Sequence, residues 1–168
     1  MKKFLKFVGP IVFLLALVAF ILMMATPAIM YKGEDVVAKG IVAIFGEKKT
    51  VDAYIVTITG ETKLAWSALL AWIFILITLL ITCLEVVLPL LKVKAMEKYV
   101  GALNLIVGVL LLVAGVFMFI TCPVFFTANG AKEVPNNCAL GAGWIIGGIL
   151  AVLGGLCAAC SALLGKKK

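Results

Sequence analysis

Four long stretches of this chain carry no charged residue, and nothing else in the sequence constrains the fold as tightly. They are residues 7–31, 64–84, 99–131 and 134–165. A helix needs about 20 apolar residues to cross the hydrocarbon core of a bilayer. The first two stretches each hold one crossing, and the apolar run of the second continues past Glu85 to Leu91. The last two are longer than one crossing and too short for two. Their surplus lies between Cys122 and Gly141, where Pro123, Asn129, Gly130, Pro135, Asn136 and Asn137 supply turn chemistry. The reading is an all-α integral membrane protein: a four-helix transmembrane bundle forming one domain over 1–168. Its spans fall near 7–30, 65–91, 99–121 and 142–164, with a small β-rich extracytoplasmic loop region.

Composition agrees. Of the 168 residues 65% are hydrophobic and 14% charged, where soluble domains run at about half and a quarter. A soluble domain, a disordered chain and a nucleic-acid-binding module are excluded as readings. Lys2, Lys3 and Lys6 ahead of an apolar run could open a secretory signal. A signal's apolar core is about 7–15 residues, however, and this run is longer. Ala25-Thr26-Pro27-Ala28 is also a poor cleavage site. The first span is expected to be retained.

Lysines near span ends set orientation, because carrying them across a membrane is costly. The N-terminus has Lys2, Lys3 and Lys6, the second connection (92–98) has Lys92, Lys94 and Lys98, and the C-terminus has Lys166, Lys167 and Lys168. With four spans these segments share one side, which holds nine lysines against Glu97 alone. The other side holds six lysines against six acids. Both termini are therefore expected in the cytoplasm of a cell-membrane protein. The chain's net charge of +7 becomes a basic inner rim in contact with anionic headgroups.

The first outer loop, about 31–64, contains two strand-like stretches. Val36–Phe45 is rich in β-branched residues, and Thr50–Thr59 is richer still, with Gly46-Glu47-Lys48-Lys49 as the turn between them. A lone hairpin is marginal in water, and Val124-Phe125-Phe126-Thr127 of the second outer loop, about 122–141, is the expected third strand. Cys122 and Cys138 bracket that loop, on the side where disulfides persist. A bridge closing 15 intervening residues would contribute about 3 kcal/mol in the chain-entropy model.

Small residues recur along the fourth span at every fourth position: Ala139, Gly143, Gly147, Ala151, Gly155 and Ala159. Such a ridge lets helix backbones approach, either within one bundle or between protomers. Gly101, Gly108 and Gly115 repeat at seven residues on the third span. Glu85 is the single charged residue inside a span and a functional suspect for that reason. Thr78 and Thr82 share its helix face, and Asn104 lies at similar depth on the antiparallel neighbour, so a Glu85–Asn104 hydrogen bond is expected, with a proton or cation site as the alternative. Trp66, Trp72 and Trp144 are placed at outer helix ends as interfacial aromatics.

Cys157-Ala158-Ala159-Cys160 is a C-x-x-C. With four spans and a loop cysteine pair, the chain resembles in outline the vitamin K epoxide reductases and the bacterial quinone-linked disulfide-generating oxidases, which would imply thiol chemistry at Cys157 and Cys160. Four spans, inside termini, a long β-rich first loop and a shorter second loop also resemble the claudin-type tetraspan layout, which implies action through outer-loop and lateral contacts. Residues 32–63 contain neither Trp nor Cys, however. The sequence offers no Gly-rich phosphate loop, paired carboxylates or His cluster, so no cofactor, metal or catalytic residue is expected. The functional expectation is a non-catalytic multi-pass membrane protein with an accessory, structural or assembly role. It would work by contacts with the lipid bilayer and with a second copy or another membrane protein. The alternatives are a small channel or transporter subunit using Glu85, and then a thiol oxidoreductase.

Overall fold

The computed structural model describes residues 2–32, 35–53, 56–90 and 99–165. In chain order they form α1 (Lys2–Ala25), β1 (Pro27–Tyr31), β2 (Asp35–Lys39), α2 (Gly40–Phe45), β3 (Glu47–Ala53), β4 (Val56–Thr62), α3 (Trp66–Leu90), α4 (Val100–Phe119), α5 (Thr121–Ala128), β5 (Cys138–Leu140) and α6 (Ala142–Gly165). The molecule is mostly helical. Four helices, α1, α3, α4 and α6, are long and apolar enough to cross a membrane.

These four helices pack in a ring, with α6 between α1 and α4, and α3 closing the other side. Each turns a 3–4-spaced stripe inward, as helices packing on one another must. Val8, Val12, Ala16, Ala19 and Met23 line α1, Ala68, Ala71, Ile75, Thr78 and Thr82 line α3, and Val107, Leu111, Ala114 and Met118 line α4. On α6 the stripe is Trp144, Ala151 and Ala158. The faces turned away carry exposed Leu, Ile and Val, such as Leu14, Leu80, Val109 and Leu153. Helices apolar on the outward as well as the inward face suit a bilayer by length and composition.

All strands gather at one end of the bundle, the capped end, where α1 and α4 finish and α3 and α6 begin. The three-stranded sheet has the order β2-β1-β5, antiparallel throughout. Its centre, β1, occupies residues expected to complete the first span: helix gives way at Thr26 and Pro27, where proline cannot donate to the ladder. The Lys32 amide continues the pairing by donating to the Asn137 carbonyl at 2.8 Å.

The structure corrects three sequence expectations in this cap. Val36–Phe45 is not one strand, since pairing stops at Lys39 and α2 follows. Gly40 stands so close to the Met23 and Thr26 backbone that no side chain fits there, and its amide donates to the Thr26 carbonyl at 3.1 Å. The hairpin is formed by β3 and β4, with Glu47 opposite Thr62, Lys48 opposite Glu61 and Lys49 opposite Gly60. The expected turn therefore lies within a strand. Gly46 (φ 75°) serves as the joint between α2 and β3, a conformation that glycine adopts without penalty. Finally, Val124–Thr127 lies inside helix α5, and the β3–β4 hairpin has no third strand among the described residues.

Candidate functional site

Two groups of polar residues stand out, one at each end of the bundle. At the capped end the side-chain oxygens are paired, while the buried indole nitrogens of Trp72 and Trp144 have no partner among the described residues. The Ser67 and Thr121 hydroxyls lie 3.2 Å apart, both buried, and Thr121 also donates to the Phe117 carbonyl at 2.8 Å. Asn129, just after α5, acts as a clamp. Its Oδ1 accepts from the Lys63 amide at 2.8 Å, while its Nδ2 donates to the Lys63 carbonyl at 3.1 Å and to the Phe125 carbonyl at 2.9 Å. One side chain thus stands in for a neighbouring strand and ties the hairpin's exit to α5. Sequence reasoning took Asn129 for a turn residue, and a contact across 66 positions leaves no local signature.

Toward the opposite, open end three buried side-chain oxygens lack partners among the described residues. Thr78, Thr82 and Glu85 follow one another down α3, and Thr82 donates to the Thr78 carbonyl at 2.8 Å. The Thr78 hydroxyl, Glu85 Oε1 and Asn104 Oδ1 are buried with no hydrogen-bond partner among the described residues. The expected Glu85–Asn104 hydrogen bond is therefore not made. Glu85 turns its other oxygen toward α1, 3.8 Å from where a side chain at Gly9 would begin. Ser161 on α6 is buried at the same end and donates to the Ala158 carbonyl at 2.8 Å.

The small-residue ridge of α6 is consumed inside the chain. Gly155 meets the Gly108 carbonyl and Leu112 of α4 at 2.9 Å from its ideal Cβ position, and Gly147 meets Met118 at 2.9 Å. Gly143 abuts Thr26, Ala151 is fully buried, and Ala159 faces Gly108. Of the two uses expected for this ridge, the observed contacts serve the bundle's own packing. Trp144 stands in the first turn of α6 at the capped end and faces inward, fully buried in the bundle core, whereas Trp66 is half-exposed and stacks edge-on against Phe117.

The expected Cys122–Cys138 bridge is not formed, and all five cysteines are free thiols. Cys122 packs into the core from the first turn of α5, while Cys138 opens β5. Burial pushes the Cys122 thiol up from its ordinary range, and the neighbouring Cys138 adds to the shift. Cys157 and Cys160 are exposed on a groove of about 240 Å³ between α1 and α6, lined also by Val8, Ile11 and Leu156. The C-x-x-C and the loop pair thus sit at different ends of the molecule, about 22 Å apart along α6 at 1.5 Å per residue, too far for direct thiol exchange.

No protein-family model matches the chain, and no curated protein matches it by sequence.

Proposed function

We propose that the chain is a non-catalytic multi-pass protein of the cell membrane that works through contacts made by its cap, in an accessory, structural or assembly role. The observation that carries this reading is the β3–β4 hairpin. Its strands pair with one another over seven residues each and join no strand of the β2-β1-β5 sheet among the described residues. A two-stranded hairpin is marginal alone in water, and its open edges are templates for a further strand. Beside it, β2 is an edge strand with Val36 and Val37 both exposed.

The expected orientation puts this cap outside and both termini in the cytoplasm, from the nine lysines and one acid on the other side. The expected partner is a second copy of the chain or another membrane protein, meeting the cap from the side. The buried α6 ridge leaves the lateral role to the cap and to the exposed apolar helix faces. Separation of the two cysteine pairs weighs against the thiol oxidoreductase. The unpartnered polar atoms at the open end favour, as second reading, a channel or transporter subunit using Glu85. Against conduction, the interior at the capped end is filled by Ala19, Met23, Ile75, Leu111, Met118 and Trp144, all fully buried.

A photo-crosslinking residue at Lys48 or Val37, activated in native membranes, tests the main reading. The expected product is a discrete adduct, at twice the 17.8 kDa chain mass for a second copy or at another fixed mass. The adduct formed from Val37 should disappear when residues 47–62 are replaced by a Gly-Ser linker. Lipid adducts alone, or an adduct indifferent to the hairpin, would overturn it. A C-terminal reporter accessible from outside would overturn the orientation.

A further inference from the structure

We infer that the open end of the bundle holds a site for one small monovalent cation, an alkali-metal ion or a proton, centred on Glu85 and Asn104. The inference starts from what these side chains lack. Glu85 Oε1 and Asn104 Oδ1 are both acceptors, both buried and both without a partner among the described residues. As placed, the two oxygens cannot satisfy each other, both being acceptors, and the Asn104 amide N–H donors are not spent on Glu85 Oε1. What each needs is a donor or a positive charge, and leaving such groups unmet in a low-dielectric interior is costly. Asn104 is more than nine-tenths buried, so bulk water does not meet its need.

The two oxygens come from neighbouring antiparallel helices at matching depth. Glu85 lies five residues before the end of α3 at Leu90, and Asn104 four residues after the start of α4 at Val100. At 1.5 Å per residue these are about 8 Å and about 6 Å from the helix ends. Gly9 on α1 completes the surroundings, and its missing side chain leaves space beside Glu85 Oε2. One turn deeper, Thr82 spends its proton on the Thr78 carbonyl, which leaves its oxygen only lone pairs to offer. Beyond it the Thr78 hydroxyl is again unpartnered.

The donor set selects the ligand. Carboxylate, amide and hydroxyl oxygens are hard donors suited to hard cations. A single carboxylate neutralises a single positive charge, whereas a divalent ion would leave net charge buried. Gly9, beside Glu85 on α1, has no side chain to titrate, and Asn104 at matching depth on α4 does not titrate. Lys2, Lys3, Lys6, Lys92, Lys94 and Lys98, with Glu97, lie near this end in the sequence, and their net positive charge opposes a cation. The site is therefore expected to be weak and to fill from the lysine-bearing side alone, because the capped half of the interior is closed by apolar side chains. That geometry suits a one-sided sensing or stabilising site rather than a pore. It is independent of the cap, so its failure leaves the cap reading standing.

The test uses the full chain in phosphatidylcholine nanodiscs, with unfolding followed in sodium, potassium or choline chloride at constant ionic strength. Stabilisation by a ligand follows the factor 1 + [L]/Kd, about elevenfold in the unfolding constant at ten times Kd. The wild type is expected to gain stability in sodium or potassium over choline, for a metal ion, or in choline on acidification alone, for a proton. Glu85→Gln should erase the response. Asn104→Leu, which keeps the carboxylate, should weaken it several-fold and keeps the proposal testable if Glu85→Gln does not fold. Identical responses to salt and pH in the wild type and both variants would overturn the site.

Discussion

Gly155→Ala adds one methyl group to the close seam between α4 and α6. From the ideal Cβ position that methyl lies 2.9 Å from the Gly108 carbonyl oxygen, 2.9 Å from Leu112 Cγ and 3.0 Å from the Leu112 amide. Carbon contacts are optimal near 3.5–4.0 Å, so α4 and α6 must separate by about half an ångström. Two of the three obstacles are backbone and cannot rotate aside. Forcing a methylene into a packed site costs about 1–3 kcal/mol, while alanine recovers at most about 1 kcal/mol over glycine in helix propensity. The expected net loss is about 1–2 kcal/mol, a roughly 5- to 30-fold rise in the unfolded fraction. Equilibrium unfolding in mixed micelles, followed through the emission of the buried Trp144, measures it. Gly101→Ala is the control: it lies on the same face of α4 with no atom within 4 Å of the added methyl, and should equal or exceed the wild type. Gly108→Ala meets the same seam from the other side, at 2.9 Å from the Ala159 amide. Once the helices have parted for one methyl the second costs less, so the double variant should lose less than the sum of the singles. Gly155→Ala as stable as Gly101→Ala would refute the reasoning.

Three further perturbations probe the cap. Asn129→Ala removes both hydrogen bonds to the Lys63 backbone and should cost about 1 kcal/mol, with faster amide exchange at Lys63 as the direct readout. Thr121→Val leaves the buried Ser67 hydroxyl without its partner and should cost about 1–3 kcal/mol, whereas Ser67→Ala combined with Thr121→Val should recover part of that loss. Both Cys122 and Cys138 should alkylate without reductant, Cys138 first. Because the Cys122 thiol titrates above its ordinary range, its thiolate fraction at neutral pH is reduced, and its labelling should accelerate as pH rises toward the shifted value.

The helices were legible because each is written several times over: charge-free length, terminal lysines and 3–4-spaced small residues all point the same way. The cap was not, and the reasons are local. Val36–Phe45 carries the β-branched residues of a strand, yet Gly40 must touch the α1 backbone, and that long-range contact turns the chain into α2. Propensity is a weak prior where packing decides. Val124–Thr127 failed for the same reason, since strand-forming side chains lie in a helix that supports α3. Of the candidate site, Glu85, Thr78, Thr82 and Asn104 could be picked out from composition alone, because polar groups within apolar runs are conspicuous. Whether they satisfied one another could not, since hydrogen bonding depends on helix rotation, which spacing does not fix. Asn129 was unreadable because its partner is the backbone of Lys63, and backbone groups leave no mark in a sequence.

The arrangement of polar atoms along the bundle then bears on the choice among functions. A conduction path needs polar groups spaced through the whole thickness, so that a cation is never stranded in hydrocarbon. Here Ser67 and Thr121 close the capped end by bonding to each other. Below them the interior is alanine, methionine, isoleucine, leucine and tryptophan. Only beyond Thr78 do unmet oxygens begin, and they continue to Glu85 near the open end. A cation entering there gains partners at each step as far as Thr78 and then loses them all. Such a gradient favours binding from one side over passage, and it separates the molecule's two working surfaces. In the reading proposed above, the hairpin cap meets a partner and the Glu85 end responds to the ionic conditions of the lysine-bearing side.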